Sequence, residues 1–291
     1  MVFTTANFQL SQQPGRLSSF ASFSYPVRKQ PLAKQAFNGE ISAGFFIQDI
    51  KMRNVILFDL GGTLAHYYDK SEFPSVLDQA IREVQSHLDE KGLLTVTQKL
   101  IRRRVREEDH ESVNYHSRPL ERRLARVFGL GSSIATEELL MQMCKRFMAP
   151  IFERGKCYED TLPALRELRS RGFRTGIISN APWGSPAVLW RNEIKRLSLD
   201  LLMDSVVLDR DIGWRKPSKP IFEFAMKTLR VLPSNCLFVG DEPKWDLRGA
   251  RAVGIEPVLI DRYRTMLDVE ERSIKNLHEL TKVLGPKEHL L

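Results

Sequence analysis

The sequence of 291 residues predicts an α/β fold, a Rossmann-like parallel sheet core with an inserted helical cap subdomain. Two observations predict this fold. From residue 54 onward, short apolar runs alternate with longer amphipathic stretches, a pattern typical of a parallel sheet with helices on both faces. Between the first two apolar runs, more than 100 residues show only helical patterns, and a simple crossover needs far fewer.

The first predicted strand, 54–58, ends in four consecutive apolar residues, which is typical of a strand buried on both faces. Asp59 follows at once, and Gly61 and Gly62 allow the chain to turn sharply. Ligands of open α/β sheets bind in the crevice beyond the carboxyl ends of the strands, so we expect Asp59 to lie there. A solvated Asp59 that merely caps a glycine turn is the alternative at this point.

Four further strands and three helices complete the predicted core. The strands cover 173–178, 205–208, 236–239 and 256–260. The helices cover 161–171, 218–230 and 245–253. Thr161 is expected to cap the first of these helices, and Gly172 is expected to end it.

The predicted helical cap, residues 70–158, follows the Asp59 turn directly. Its helices are expected at 75–90, 95–110, 119–128 and 135–149. The core is then formed by 52–69 together with 159–291. An insertion after the first strand lies above the strand ends, so we expect it to cover the crevice as a lid.

Composition narrows the class of partner. The formal net charge is +8 and is spread through the chain, which suits an anionic partner such as a small phosphorylated metabolite. No nucleic-acid partner is expected, because zinc-ligand spacing, an aromatic and basic RNA signature and a clear helix-turn-helix are missing from the sequence. No membrane partner is expected, because no apolar run approaches the ~18–20 residues that span a bilayer. The sequence has three widely spaced cysteines, which do not form a disulfide framework, so we expect a reducing compartment.

Residues 1–51 differ in composition from the rest of the chain. They contain two acidic residues, Glu40 and Asp49, against five basic ones, and are rich in serine. This composition is typical of an organelle transit peptide, and the alternative is a disordered or artefactual extension before Met52. Either interpretation leaves the segment outside the fold. We expect a cytoplasmic protein, or an imported one if the segment is a transit peptide.

Polar residues recur where the predicted strands end. They are Asp59 after the first strand, Ser179 and Asn180 after the second, Lys216 after the third, and Asp241 and Asp246 after the fourth. Each alone has an ordinary role as a helix cap or a surface residue, but parallel strands end at one edge of a sheet, so we expect them to meet. Carboxylates hold a hard cation such as Mg²⁺, while lysine and hydroxyl donors neutralise phosphoryl oxygens. An aspartate can also be a covalent nucleophile, so the set predicts phosphoryl transfer.

At this point the sequence resembles the haloacid dehalogenase-like (HAD) hydrolase superfamily, over residues 54 to about 265. FDLGGTL resembles the family's first motif, which implies that Asp59 is the nucleophile. IISNA implies a phosphoryl-binding hydroxyl on Ser179, and WRKPSKPIF implies that Lys216 is the family's lysine. VGDEPKWDLRGARAVGI implies that Asp241 ligates Mg²⁺ with Asp246 as its acidic companion. The implied substrate contacts are Ser179, Asn180, Gly61 and Lys216, and the implied metal ligands are Asp59, Gly61, Asp241 and Asp246.

Gly61 departs from the family's pattern. Phosphatases of the family usually carry a second aspartate here, whose carbonyl ligates Mg²⁺ and whose side chain protonates the leaving group. Glycine keeps the carbonyl but lacks the acid, so we expect slower hydrolysis. Candidate replacements for the acid are His66, Tyr67, Glu242 and His116.

The leading hypothesis is a Mg²⁺-dependent phosphoryl hydrolase that acts on a small phosphomonoester through an aspartyl-phosphate. Loss of the acid leaves open a slow or non-catalytic protein that binds phosphate or a partner. A dehalogenase-type hydrolase is a further alternative, although it needs no metal and the pair Asp241 and Asp246 argues against it. A phosphonatase-type hydrolase would need a cap lysine, for which Lys91, Lys99 and Lys145 are available.

Overall fold

The computed structural model describes residues 53–110, 114–263 and 272–284. The extension at 1–51 lies outside these residues, and so do the predictions made for it. Within the described residues, no helix combines the length and the apolar character that crossing a membrane requires.

In the part of the chain that the structure describes, the strands form one six-stranded sheet and one small ribbon. In chain order the strands are β1 (Val55–Phe58), β2 (Ala65–His66), β3 (Lys156–Cys157), β4 (Arg174–Ser179), β5 (Ser205–Leu208), β6 (Cys236–Gly240), β7 (Glu256–Ile260) and β8 (Ser273–Ile274). The large sheet has the order β5-β4-β1-β6-β7-β8 and is parallel throughout, while β2 and β3 pair antiparallel. The predicted parallel sheet is therefore confirmed, and β5 and β7 have the predicted bounds.

Helices fill the intervals between the strands. In chain order they are α1 (Phe73–Glu90), α2 (Gln98–Glu108), α3 (Leu120–Phe128), α4 (Glu137–Phe152), α5 (Thr161–Ser170), α6 (Ala187–Arg196), α7 (Asp209–Ile212), α8 (Lys219–Leu229), α9 (Arg248–Ala252) and α10 (His278–Leu284). The four helices α1–α4 follow β1 as expected, and α4 packs against both α1 and α3. Their role as a cap over the core stays a prediction.

Strand β1 is buried on both faces, as its apolar run predicts. Val55 and Leu57 belong to one hydrophobic cluster, whereas Ile56 and Phe58 belong to the other. All four side chains are fully buried. The alternation of a strand therefore sends successive side chains into the two layers that sandwich the sheet.

Three local expectations are wrong. The strand Lys156–Cys157 lies within the segment predicted to be wholly helical, because two residues are too few to show a period. Thr161 is the first residue of α5 and does not cap it, since its hydroxyl donates a hydrogen bond to the Leu64 carbonyl at 2.7 Å. Helix α9 begins later than predicted, because Pro243–Leu247 forms a wider π-type turn.

Candidate active site

The carboxyl ends of β1, β4 and β6 lie side by side. Phe58, the last residue of β1, pairs with Ile177 on β4 and with Val239 on β6. The chain beyond these pairs opens onto one cavity of about 510 Å³. The predicted site residues all line it, namely Asp59, Gly61, Ser179, Asn180, Lys216, Asp241 and Asp246. The structure thus brings together the set that the strand ends predict, and the chemical role of each member stays a prediction.

Lys216 is the buried centre of this set. Its side chain is 2% exposed, and Nζ donates hydrogen bonds to Asp59 Oδ1 at 2.5 Å and to Asp246 Oδ1 at 2.6 Å. Burial alone would lower the pKa of Lys216, but the carboxylates of Asp246 and Asp59 raise it above its usual value. The lysine is therefore an ammonium that holds two carboxylates beside each other.

Asn180 orients the loop that carries this lysine. Its Oδ1 accepts a hydrogen bond from the backbone N–H of Lys216 at 2.8 Å, and its Nδ2 donates to the Lys216 carbonyl at 3.3 Å. Both ends of the amide bind the main chain of one residue. This positioning contact is one that the sequence did not suggest, and the predicted substrate contact of Asn180 is untested.

Three carboxylates at this edge of the sheet fit a divalent cation. One oxygen from each of Asp59, Asp241 and Asp246 lies within 4.8 Å of the others. Burial and the nearby charge of Asp59 raise the pKa of Asp241 to about 8 and that of Asp246 to about 6. Three clustered carboxylates around one ammonium leave an excess of negative charge, and oxygen donors of this kind suit Mg²⁺.

Asp241 and Asp246 differ in how much of their carboxylate is engaged. Asp246 accepts hydrogen bonds on both oxygens, from Lys216 Nζ and, at 3.0 Å, from the backbone N–H of Glu242. Asp241 has only a long contact of 3.5 Å with Thr63 Oγ1 among the described residues. Asp241 is therefore the carboxylate with more freedom to ligate a metal directly, and Asp246 is the one fixed by the protein.

The two glycines after Asp59 are constrained differently. Gly62 has φ +79°, and a Cβ there would overlap the carboxylate of Asp241. Gly61 has neither constraint, since a Cβ there would meet only Tyr67 Cδ2, at 3.9 Å, among the described residues. The place that an aspartate side chain would take at position 61 is open.

Gly62→Ala is expected to weaken Mg²⁺ binding. The left-handed backbone costs an L-residue about 1–2 kcal/mol, and the added methyl group must also displace Asp241. Gly92→Ala is the matched control, because Gly92 has φ +66° with open space around it. Both variants should lose stability in urea, but only Gly62→Ala should lose the rise in melting temperature on addition of Mg²⁺. An equal Mg²⁺ response in both would show that Asp241 does not hold the metal.

Three of the four candidate acid–base residues line the cavity. Glu242 is ion-paired with a lysine, with 2.5 Å between Oε1 and Nζ. The hydroxyl of Tyr67 is buried without a hydrogen-bond partner among the described residues, and burial raises its pKa well above the usual value. The side chain of His66 is 24% exposed. His116 instead stacks on Trp214, with ring centroids 3.8 Å apart, and does not line the cavity.

Sequence reasoning missed several residues of the cavity lining. They include Lys70, Tyr158, Arg215, Trp245 and Arg262. Arg215 carried a signal, since it directly precedes Lys216. Arg262 is placed by a two-pronged ion pair with Asp160, at 3.0 and 3.1 Å, and these residues lie 102 positions apart, so no local pattern indicates the pair.

Known proteins are similar to this chain in sequence, and one solved structure is similar to it in fold. The model of the family described as haloacid dehalogenase-like hydrolase matches residues 54–254. Glyceraldehyde 3-phosphate phosphatase of Methanopyrus kandleri is 29% identical over 223 residues, 76% of this chain and 89% of that protein. Ribulose-1,5-bisphosphate 5-phosphatase of Halopiger xanaduensis is 26% identical over 212 residues, 72% of this chain and 85% of that protein. The structure of a HAD phosphatase from Thermococcus onnurineus, 23% identical, covers 81% of this chain and 100% of its own with a TM-score of 0.57, a likeness of fold.

Proposed function

Because the chain belongs to the haloacid dehalogenase-like hydrolase family, we propose that it is a Mg²⁺-dependent phosphatase that uses Asp59 as its nucleophile. One observation carries the proposal. A buried ammonium holds Asp59 at the end of β1 beside two further carboxylates, in a cavity large enough for a metabolite. This arrangement supports the proposed roles, because phosphoryl transfer needs a nucleophile, a fixed cation and metal ligands in one place.

The chain's own residues supply most of the proposed chemistry. A carboxylate oxygen of Asp59 attacks phosphorus, the bond from phosphorus to the leaving oxygen breaks, and its electron pair stays on that oxygen. Lys216 orients Asp59 and, with the hydroxyl of Ser179, donates to the phosphoryl oxygens. Water then hydrolyses the aspartyl-phosphate and regenerates Asp59. When bound, Mg²⁺ supplies further neutralisation of phosphoryl charge, and Asp59, Asp241, Asp246 and the Gly61 carbonyl would hold it.

The proposed substrate is a small phosphosugar or a related phosphomonoester. Two relatives with long matches are named as phosphatases of a triose phosphate and of a pentulose bisphosphate. The cavity volume of about 510 Å³ suits a ligand of that size. These relatives support the substrate class, and identities of 29% and 26% leave the individual compound open.

The test is phosphate release by the purified protein from p-nitrophenyl phosphate and a panel of phosphosugars. Release is expected with Mg²⁺ and should stop when a chelator removes the metal. Asp59→Asn should abolish release while the variant stays folded, because the amide Oδ1 can still accept the hydrogen bond from Lys216 Nζ and Asp246 still pairs with the ammonium. An absence of release across the whole panel in Mg²⁺ would contradict the proposal.

Gly61 favours a second candidate, a phosphate-binding protein that turns over slowly or not at all. The open space beside this glycine holds no described acid. In that case calorimetry should detect phosphate binding in Mg²⁺ without release from any ester. The phosphonatase-type alternative has less support, because Lys91, Lys99 and Lys145 are all exposed and none of them lines the cavity.

A further inference from the structure

The cavity holds far more than a phosphoryl group. Its volume of about 510 Å³ lies within the roughly 300–1,000 Å³ typical of small-molecule sites. The cavity therefore has room for the part of a substrate that carries the phosphate. The lining side chains that have no partner in the protein indicate which chemical groups of the substrate the cavity can bind.

Most cations in the lining are already bound to the protein. Lys216 holds two carboxylates, and Lys70 pairs with Glu242 at 2.5 Å. Arg262 binds both oxygens of Asp160 with one terminal nitrogen and the Thr63 carbonyl, at 2.6 Å, with the other. Each of these groups already makes a close ion pair within the protein, so a second anion of the substrate would have to compete with that partner.

Arg215 differs from these cations. Its guanidinium makes no hydrogen bond to any residue that the structure describes, whereas both terminal nitrogens of Arg262 are bound; the Nε of each arginine is buried without a partner. The carboxylate paired with it, on Asp209, stands off at 3.9 Å from Nε. Arg215 is therefore a cavity-lining residue whose terminal guanidinium nitrogens have no hydrogen-bond acceptor among the described residues.

Asp209 leaves most of the charge of Arg215 uncompensated. It is completely buried and already accepts hydrogen bonds from the Ala181 backbone N–H and from Ser117 Oγ, both at 2.8 Å. Burial raises the pKa of Asp209, which disfavours its charged form. A long contact to a carboxylate of this kind is a weak competitor for an incoming anion.

The backbone of Arg215 is fixed in place. Its N–H donates to the Tyr115 carbonyl at 2.8 Å, and its carbonyl accepts from Ser218 Oγ at 2.5 Å. The guanidinium carbon lies 5.9 Å from the centroid of the Trp245 ring, which also lines the cavity. The main chain of Arg215 is thus fixed beside Lys216, so binding an anion would have to order only its side chain.

We propose that Arg215 binds a second anionic group of the substrate, a phosphate or a carboxylate joined to the scissile phosphate by a short carbon chain. A planar guanidinium fork suits either group, since both offer paired oxygens. The inference rests on the proposed phosphatase function and adds a selectivity for doubly anionic substrates. Lys216 engages the scissile phosphate, and Arg215 sets the distance to the second anion.

The experiment compares matched substrates of increasing spacer length. Alkanediol monophosphates carry one anion, the corresponding bisphosphates carry a second phosphate, and phosphoalkanoates carry a carboxylate. At one spacer length we expect the wild type to have a kcat/KM about 10–100-fold higher for the substrate with two anionic groups than for the monophosphate, mainly through KM. Arg215→Gln should reduce this ratio to near one, and Arg215→Lys should retain part of it. A preference for the bisphosphates identifies phosphate as the second anion, and a preference for the phosphoalkanoates identifies carboxylate.

Arg191→Gln is the control, because Arg191 binds Asp211 at 2.8 Å outside the cavity lining. It should keep the wild-type ratio. The inference is overturned if the wild type shows no preference at any spacer length, or if Arg215→Gln keeps the ratio as well. Calorimetry measures the same preference as a ratio of binding constants for the two substrates. It is done on Asp59→Asn, with and without Arg215→Gln. This second readout separates the inference from the phosphatase proposal, which fails if no ester is hydrolysed.

Discussion

Replacing Gly61 with aspartate should raise the turnover of an alkyl phosphomonoester by about 10²–10⁴-fold, the usual contribution of general acid–base catalysis. An alkoxide is a poor leaving group, and no described acid fills the space beside Gly61. The structure accommodates the change, since a Cβ would be 3.9 Å from Tyr67 Cδ2 and the glycine is not in the left-handed region. Steady-state kinetics of wild type and variant on the same alkyl phosphate measure the effect.

The leaving group provides an internal check on this prediction. A phenolate departs without protonation more readily than an alkoxide, so Gly61→Asp should raise the rate for p-nitrophenyl phosphate much less than for an alkyl phosphate. Gly61→Asn is the matched control, because its amide fills the same space but is not acidic enough to transfer a proton, and it should not accelerate either substrate. An active wild type that Gly61→Asp leaves no faster would show that another residue, such as His66 or Glu242, already performs the proton transfer.

The sheet and the residues at its edge could be predicted because their signals are local. Runs such as 205–208 and 256–260 are apolar and bounded by polar or turn-forming residues, and both strands have those bounds in the structure. Asp59, Ser179 and Asp241 follow such runs directly, and parallel pairing then brings the residues together. Predicting that these residues meet required only the direction of the strands and the residue at which each strand ends.

The parts that sequence reasoning missed depend on partners far apart in the chain. The ribbon between β2 and β3 contains two residues on each side, and its partners are some 90 positions apart, so no period can reveal it. The fixed position of Arg215 depends on the Tyr115 carbonyl, which is 100 positions earlier. Asn180 has an ordinary sequence context, and its double contact with the Lys216 main chain exists only once the loop is folded. Such contacts are properties of the packed chain and leave no local pattern.

Lys216→Met should remove about 3–5 kcal/mol from the free energy of unfolding, the usual effect of deleting one partner of a buried ion pair. Methionine keeps much of the buried stem but leaves Asp59 and Asp246 without the ammonium that binds them at 2.5 and 2.6 Å. Urea unfolding in the presence of a chelator measures the loss. Lys219→Met is the control, since Lys219 is exposed and its replacement should stay within about 0.5 kcal/mol of the wild type.

The loss in Lys216→Met should depend on pH and on Mg²⁺. Burial and neighbouring carboxylates already raise the pKa of Asp241 to about 8 and that of Asp246 to about 6, and removal of the lysine raises both further. Carboxyl groups with a raised folded-state pKa bind protons more tightly in the folded state, so the variant should regain stability as the pH falls from about 8 towards 4. Mg²⁺ should stabilise the variant more than the wild type, because it neutralises the carboxylates that have lost their ammonium. A variant as stable as the wild type at pH 8 without Mg²⁺ would mean that the three carboxylates are not charged together, and the excess negative charge that favours a metal here would then be absent.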